Sequence, residues 1–222
     1  MTDLCTWRQV PNLVVVDLEG SGAQDRDTEE ILEIAAVRLV HGRPELSTAV
    51  STLINPQRPI ARGPWISPGL TDRALSLAPT LSQVTPDLKA RLSSAYLVGH
   101  NVSVDWRLLH RRLSGLRVAG LIDTLVLARD LPGHGKGSLT ALTQQYGLTD
   151  RINAAVPGGQ PHRALWDAVA AGVLLDELVR RRWREDPTLP ALIAAAAPAG
   201  HQPQPTSLFD GLPDATDPRR TL

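Results

Sequence analysis

The stretch Leu13–Gly22 constrains the fold more than any other part of the chain. Its sequence is Leu-Val-Val-Val-Asp-Leu-Glu-Gly-Ser-Gly, an apolar run that leads directly into two carboxylates and a glycine-rich turn. A short run rich in valine and bounded by a turn is typical of a buried strand. Since residues two apart on a strand project from the same face, Asp17 and Glu19 are predicted to lie side by side at the end of that strand.

Two adjacent carboxylates at the end of a buried strand allow two interpretations. Anions that lose hydration and repel each other are destabilising unless a positive charge compensates them. Oxygen ligands of this kind favour a hard divalent cation such as Mg²⁺ or Mn²⁺. In the other interpretation Asp17 simply ends the strand and Glu19 is solvated. Considered alone, the stretch is compatible with both.

Length and composition limit the class of protein. A chain of 222 residues with 42% apolar residues is expected to form one domain with an appendage. Its 23 basic and 23 acidic residues balance, which argues against a protein that coats nucleic acid by charge alone. Cys5 is the only cysteine, so no intrachain disulfide is expected. Without an apolar run of about 18 residues or a signal pattern, a cytoplasmic location is expected.

The pattern of apolar segments predicts an α/β domain. Strand-like segments at residues 12–17, 31–40 and 49–54 have short connections, which predict an antiparallel meander. Further along, two short apolar runs each lead into a helical pattern, and this alternation predicts parallel strand pairing. A loop is expected at residues 149–161, followed by the longest helix at about residues 162–184.

Three more side chains could join the carboxylates of the first strand. Asp105 is predicted in the first turn of a helix that leaves a strand, and Asp167 lies in the longest helix, five residues after His162. Each has an ordinary explanation: a first-turn carboxylate favoured by the helix dipole, a solvated helix residue and a loop histidine. Asp123, between another strand and its helix, is predicted to be a structural cap.

The order of these residues resembles a known family. The motifs are Asp17-Leu18-Glu19, Gly99–Asp105 and His162–Ala168. Together they resemble the three exonuclease motifs of the DEDDh family, the DnaQ-like 3′–5′ exonucleases, which include the proofreading epsilon subunit of bacterial DNA polymerase III. The histidine separated from the last aspartate by four intervening residues, His-x₄-Asp, matches the histidine branch of that family.

The resemblance implies a fold and a set of roles. The fold is an RNase H-like five-stranded mixed sheet with helices on both faces. Phosphodiester hydrolysis would use two divalent ions, Mg²⁺ or Mn²⁺. Asp17 would bridge the ions, Glu19 and Asp167 would complete one, and Asp105 would bind the other. His162 would accept the proton of the attacking water, a task that suits histidine near neutral pH.

The resemblance also implies contacts with the substrate. The residues expected to contact the terminal nucleotide are Leu18, Gly20, Ser21, Asn101 and Trp106. Asn101 has an alternative role as a turn or cap residue. In the turn after Glu19, a small side chain or none is expected to leave room for the nucleotide.

The expected activity is 3′–5′ exonuclease action on single-stranded DNA 3′ ends, in proofreading or repair, with release of nucleoside 5′-monophosphates. The same motifs serve exoribonucleases that trim RNA ends or oligoribonucleotides, which are the alternative. A non-catalytic adaptor is a third hypothesis, against which the intact carboxylate set argues.

The C-terminal part of the chain has a different composition. Residues 1–190 are expected to form the exonuclease domain, and residues 191–222 a proline-rich, disordered tail. One or two helical turns at residues 191–197 are an alternative, whereas residues 198–222 have no hydrophobic periodicity. Gln204, Leu208 and Phe209 in this tail resemble the peptide that binds bacterial sliding clamps. A polymerase subunit or sliding clamp is therefore an expected partner, and a chance hydrophobic pair is the alternative.

Overall fold

A computed structural model describes residues 5–22, 28–61, 63–131 and 137–200 of the chain. The predicted clamp-binding residues Gln204, Leu208 and Phe209 lie outside these ranges. None of the helices within these ranges is long and apolar enough to cross a membrane.

The domain is built on a five-stranded mixed sheet. The strands are β1 (Leu13–Gly20), β2 (Ile31–Val40), β3 (Arg43–Leu53), β4 (Tyr96–Gly99) and β5 (Gly120–Asp123). Their order in the sheet is β3-β2-β1-β4-β5. The first three strands pair antiparallel, whereas β1, β4 and β5 run parallel. The predicted meander and the predicted parallel half therefore share β1, and the predicted fold class is confirmed.

Eight α-helices are described. They are α1 (Asp72–Ser76), α2 (Leu81–Leu92), α3 (Ser103–Arg112), α4 (Thr124–Arg129), α5 (Leu139–Gln145), α6 (Thr149–Ala155), α7 (Ala164–Arg182) and α8 (Leu189–Ala196). A short 3₁₀ turn, Trp7–Gln9, precedes β1.

The valine run of β1 is buried because helices cover both faces of the sheet. Leu13 and Val15 face a core that includes α7. Val14 and Val16 face a second core with residues of α2 and α3. Alternate residues of a strand point to opposite faces, so a strand covered on both sides needs an unbroken apolar sequence.

Several boundaries differ from those predicted. The predicted loop at residues 149–161 contains α6, whose Ile152 is fully buried. The short helix has only one buried position, so its apolar periodicity is too weak to show in the sequence. Strand β3 begins at Arg43 rather than residue 49, because its exposed edge carries polar side chains that lack strand-like alternation.

The folded domain extends beyond the predicted boundary at residue 190. Thr188 accepts a hydrogen bond from the Ala191 N–H (3.3 Å) and so caps α8. Leu192, Ile193 and Ala196 are buried in the same core as α7. A helix with three buried apolar positions gains more from packing than a disordered tail could, so residues 191–196 belong to the domain.

Candidate active site

The carboxylates of β1 lie on the face of the sheet that α7 covers. Asp17 and Glu19 continue the alternation of Leu13 and Val15, and both are partly buried at the carboxyl end of the strand. Glu19 is paired with Glu33 of β2, and the register shifts between Glu19 and Gly20. The two predicted ligands therefore project toward α7 where the ladder becomes irregular.

Helix α7 brings the third carboxylate to this strand end. It packs along β1 and β2 and carries Asp167 in its first turn. The Asp167 N–H donates to the Arg163 carbonyl (3.0 Å), and Asp167 Oδ2 accepts the N–H of His162 (2.9 Å). The Asp167 side chain thus holds the residue that precedes the N-cap of α7 and is a neighbour of the β1 carboxylates.

Asp17, Glu19 and Asp167 form a carboxylate triad. One oxygen from each lies within 4.8 Å of the other two. Three hard anionic oxygens converging on one point match the donors that Mg²⁺ and Mn²⁺ prefer. The side chains present therefore fit a divalent cation.

The electrostatics of the triad are those of crowded, buried acids. Burial raises the pKa of Asp17 well above its ordinary value, and the charges of Asp105, Asp167 and Glu19 raise it further. Burial raises the pKa of Glu19 to about 7, although a hydrogen bond from the Ser67 hydroxyl opposes the shift. Burial raises the pKa of Asp167 to about 6. A bound cation would relieve this strain by stabilising the ionised forms.

The fourth predicted ligand, Asp105, is adjacent to the triad. It is 8% exposed in the first turn of α3, and its Oδ1 accepts the Leu18 N–H at 3.0 Å. Burial raises its pKa to about 8 against this backbone hydrogen bond. Asp105 thus contacts β1 between Asp17 and Glu19, but its oxygens are outside the 4.8 Å group.

His162 stands at the exposed rim of the triad. Its side chain is exposed and its backbone is left-handed, with φ of 64°. The positive charge of the His162 ring lowers the pKa of Glu19 and of Asp167, although burial, which is the larger effect, raises both. The imidazole is therefore within electrostatic reach of the triad and open to solvent, as a side chain that exchanges protons with water must be.

The predicted substrate residues of β1 differ in their accessibility. Leu18 is partly buried and its N–H holds Asp105. A Cβ on Gly20 would lie 3.0 Å from Glu29 Oε1 and 3.5 Å from Leu108 Cδ2, so a larger residue here would displace the end of the Glu29 side chain by a few tenths of an ångström. Ser21 is 4% exposed, and its hydroxyl accepts the Glu30 N–H at 3.0 Å. Its side chain therefore holds the turn together.

The other two predicted substrate residues flank the start of α3. Asn101 is exposed with φ of 65°, and its N–H donates to Asp123 Oδ1 at 2.8 Å. Asp123 also accepts the Leu125 N–H at 2.9 Å and so caps α4, as predicted. Trp106 is partly exposed beside Asp105.

Three residues that contact the site were not predicted as part of it. Ser67 donates a hydrogen bond to Glu19 Oε2, and Arg163 binds the buried Glu33 through two hydrogen bonds. A glutamate inside the apolar run Ile31–Val37 was a signal that this strand carries a buried charge. Ser67 lies in an irregular proline-rich loop, where no periodic pattern marks it.

Comparison with known proteins places this site in a family. The sequence profile of an exonuclease family, RNase_T, matches residues 14–175. A DNA polymerase III subunit epsilon-like protein of Rhodobacter capsulatus is 35% identical over 161 residues, which are 71% of this chain and 22% of that protein. A PolC-type DNA polymerase III of Staphylococcus epidermidis is 30% identical over 173 residues, 76% of this chain and 11% of that protein.

A solved structure shares the fold. Exonuclease X in complex with 5′-overhanging duplex DNA superposes with a TM-score of 0.58 and 28% identity, over 81% of this chain and 98% of that chain. The family profile covers most of the chain and contains the whole carboxylate triad. The chain therefore belongs to the RNase_T exonuclease family.

Proposed function

We propose that this exonuclease removes nucleotides from DNA 3′ ends in the 3′–5′ direction and releases nucleoside 5′-monophosphates. The carboxylate triad of Asp17, Glu19 and Asp167 is the observation that carries the proposal. The epsilon-like relative and the DNA-bound Exonuclease X favour DNA as the substrate and proofreading or repair as the context.

The carboxylates have separate roles in binding metal. Exonucleases of this family are metal dependent. In the proposal Asp17 would help to hold both of two Mg²⁺ or Mn²⁺ ions, Glu19 and Asp167 would hold one of them, and Asp105 would hold the other. When bound, such ions lower the pKa of water and stabilise the oxygens that attack and leave the phosphorus.

His162 is the proton acceptor in this scheme. The water oxygen forms a bond to the phosphorus of the terminal phosphodiester. At the same time, the bond between that phosphorus and the 3′ oxygen of the penultimate nucleotide breaks. His162 accepts the proton that the water loses, and its exposed position lets it pass that proton to solvent. The departing 3′ oxygen takes a proton from solvent, so the shortened strand ends in a 3′ hydroxyl, and the released nucleotide carries the phosphate.

The terminal nucleotide is proposed to lie between the end of β1 and the start of α3. Leu18, Gly20, Asn101 and Trp106 border this region, and the last two are at least partly exposed. The Ser21 side chain is enclosed in its turn, so its contribution is to shape the turn.

A sliding clamp or polymerase subunit is the proposed partner. This part of the proposal rests on the sequence around Gln204, Leu208 and Phe209, outside the described residues. Deleting residues 204–209 should abolish binding to a bacterial clamp in a pull-down with purified proteins, while exonuclease activity on free oligonucleotides stays unchanged. Unchanged clamp affinity would remove the partner from the proposal.

The central experiment compares wild type with Asp17→Ala and His162→Ala on 5′-labelled single-stranded DNA and RNA of the same sequence. With Mg²⁺ or Mn²⁺, wild type should shorten DNA one nucleotide at a time, and both variants should be inactive. Faster cleavage of RNA would reassign the substrate to RNA. An inactive wild type would refute the enzymatic proposal, and variants as active as wild type would refute the site assignment.

A further inference from the structure

One face of α3 carries an aromatic and cationic surface that leads away from the carboxylates. Ser103, Trp106, Arg107, His110 and Arg111 line an open cavity of about 560 Å³. Their spacing of i, i+3, i+4, i+7 and i+8 places them on one side of the helix. Asp105, on the opposite side of the same helical turns, is buried against β1.

The rings in this cavity form a pair. The Trp106 and His110 ring centroids are 5.0 Å apart, with the ring planes tilted by 41°. His110 is exposed and Trp106 partly exposed. Exposed flat rings with this separation offer a surface on which a nucleobase can stack, and such stacking is independent of base identity.

The guanidinium groups supply the complementary charge. Arg107 Nη2 lies 3.5 Å from Glu29 Oε2, and the Arg107 Nε–H is buried with no hydrogen-bond partner among the described residues. Arg111 lies one helical turn further along the same face. Arginine beside aromatic rings is the combination that binds a phosphodiester and its base together.

The cavity is connected to the active site through Glu29. The Glu29 carboxylate contacts Arg107 on one side, while its Oε1 would lie 3.0 Å from a Cβ on Gly20 at the end of β1. Along α3, Arg111 is six residues past Asp105, or about 9 Å. The cavity therefore begins beside the position proposed for the terminal nucleotide and extends away from the carboxylates.

We propose that this cavity binds the nucleic acid strand upstream of the scissile phosphodiester, with a base on the rings of Trp106 and His110 and a phosphate on Arg107 and Arg111. The proposal rests on the proposed function and deepens it. It makes affinity depend on substrate length, because a dinucleotide fills the active site but does not reach His110 and Arg111.

The test measures KM and kcat on a single-stranded DNA decamer and on a dinucleotide. His110→Ala should raise KM for the decamer about 5- to 150-fold, the range for one stacked base, with kcat unchanged. His110→Phe, which keeps a ring, should restore a KM close to wild type. Neither variant should change KM for the dinucleotide.

Arg111→Ala tests the phosphate contact separately. It should raise KM for the decamer and reduce the slope of log affinity against log salt by about 0.7, the value for one phosphate contact to a single strand. Arg117→Ala is the matched control, because Arg117 is an exposed arginine at the amino end of β5, away from the carboxylates.

The outcomes separate this inference from the proposed function. If wild type cleaves neither substrate, the exonuclease proposal fails and the cavity loses its assignment. If wild type is active but His110→Ala and Arg111→Ala both retain the wild-type KM on the decamer, the inference is overturned and the proposed function stands. An equal rise of KM on the dinucleotide also overturns it, since the effect would then arise within the active site.

Discussion

Arg163 and Glu33 form a two-point ion pair directly beside the active site. Arg163 Nε donates to Glu33 Oε2 at 2.8 Å and Nη2 donates to Oε1 at 2.9 Å. The Glu33 side chain is 6% exposed, so its charge depends on this partner. Because Arg163 follows His162 and its carbonyl accepts the Asp167 N–H, the pair ties the start of α7 to β2 where the triad forms.

Arg163→Met is expected to destabilise the protein by about 3–5 kcal/mol, because it leaves the Glu33 carboxylate buried and unpaired. The double variant Glu33→Leu with Arg163→Met should recover part of this loss. The free energy of unfolding from urea titration measures both. Arg181→Ala, which removes a partly exposed pair with Glu177 and a cation–π contact with Tyr146, is the control and should cost about 1–2 kcal/mol.

The Arg163–Glu33 pair should affect catalysis by positioning active-site residues and not by binding the substrate. Arg163→Met is expected to lower kcat more than it raises KM, since the start of α7 holds His162 and Asp167. A variant that loses stability and keeps the wild-type kcat would show that the pair is structural only.

Asp17→Asn should separate the role of the triad in binding metal from its destabilising effect on the folded protein. Loss of one anionic ligand is expected to reduce kcat by roughly 10³-fold, equivalent to several kcal/mol of transition-state stabilisation. The metal-free variant should melt at a higher temperature than wild type, because a neutral amide removes repulsion between buried carboxylates.

Asp123→Asn is the matched control for Asp17→Asn. Its amide oxygen can still accept from the Asn101 and Leu125 N–H groups, so activity and melting temperature should remain near wild type. If Asp17→Asn behaves like Asp123→Asn in both assays, the triad is not the metal site.

The left-handed backbone of His162 determines how its role can be tested. Asparagine tolerates positive φ, so His162→Asn removes the proton acceptor with little backbone strain. We expect kcat to fall by about 10²- to 10⁴-fold, the usual contribution of a general base, with almost unchanged stability. His162→Ala should lose the same activity and in addition about 1–2 kcal/mol of unfolding free energy. Wild-type kcat in His162→Asn would exclude the residue as the base.

The parts of the fold that were predictable follow from strong, local patterns. The valine run identified β1 because burial on both faces leaves no room for polar residues. The strand period then placed Asp17 and Glu19 on one face before their neighbours were known. Asp105 and Asp167 could be assigned through the family motifs, whereas their approach to β1 depends on how α3 and α7 pack.

The unpredicted features depend on contacts between distant residues. Glu33 and Arg163 are 130 positions apart, and nothing local in either segment identifies the partner. Helix α8 has Pro190 in its first turn and an alanine-rich sequence that fits a tail as well as one or two helical turns, and only its packing against the α7 core distinguishes them. The left-handed conformation of His162 likewise follows from the hydrogen bond that its N–H donates to Asp167.

The stability of the metal-free protein should depend on pH through the buried carboxylates. In the folded protein Asp167, Glu19 and Asp105 have pKa values of about 6, 7 and 8, whereas unfolded carboxylates titrate near 4. Between these limits the folded state binds more protons, so the free energy of unfolding falls as pH rises. The stability that these raised pKa values contribute is fully present below about pH 4 and is lost as the pH rises through about 8.

Asp167→Asn isolates the effect, because the amide resembles the protonated acid at every pH. With a chelator present, the variant and wild type should melt at similar temperatures at pH 5, and the variant should melt higher at pH 8. Mn²⁺ should raise the melting temperature of wild type more at pH 8 than at pH 5, since the cation competes with protons for the triad. The exposed Asp87→Asn should differ from wild type equally at both pH values. If the Asp167→Asn difference is also independent of pH, burial does not hold the triad in its protonated form.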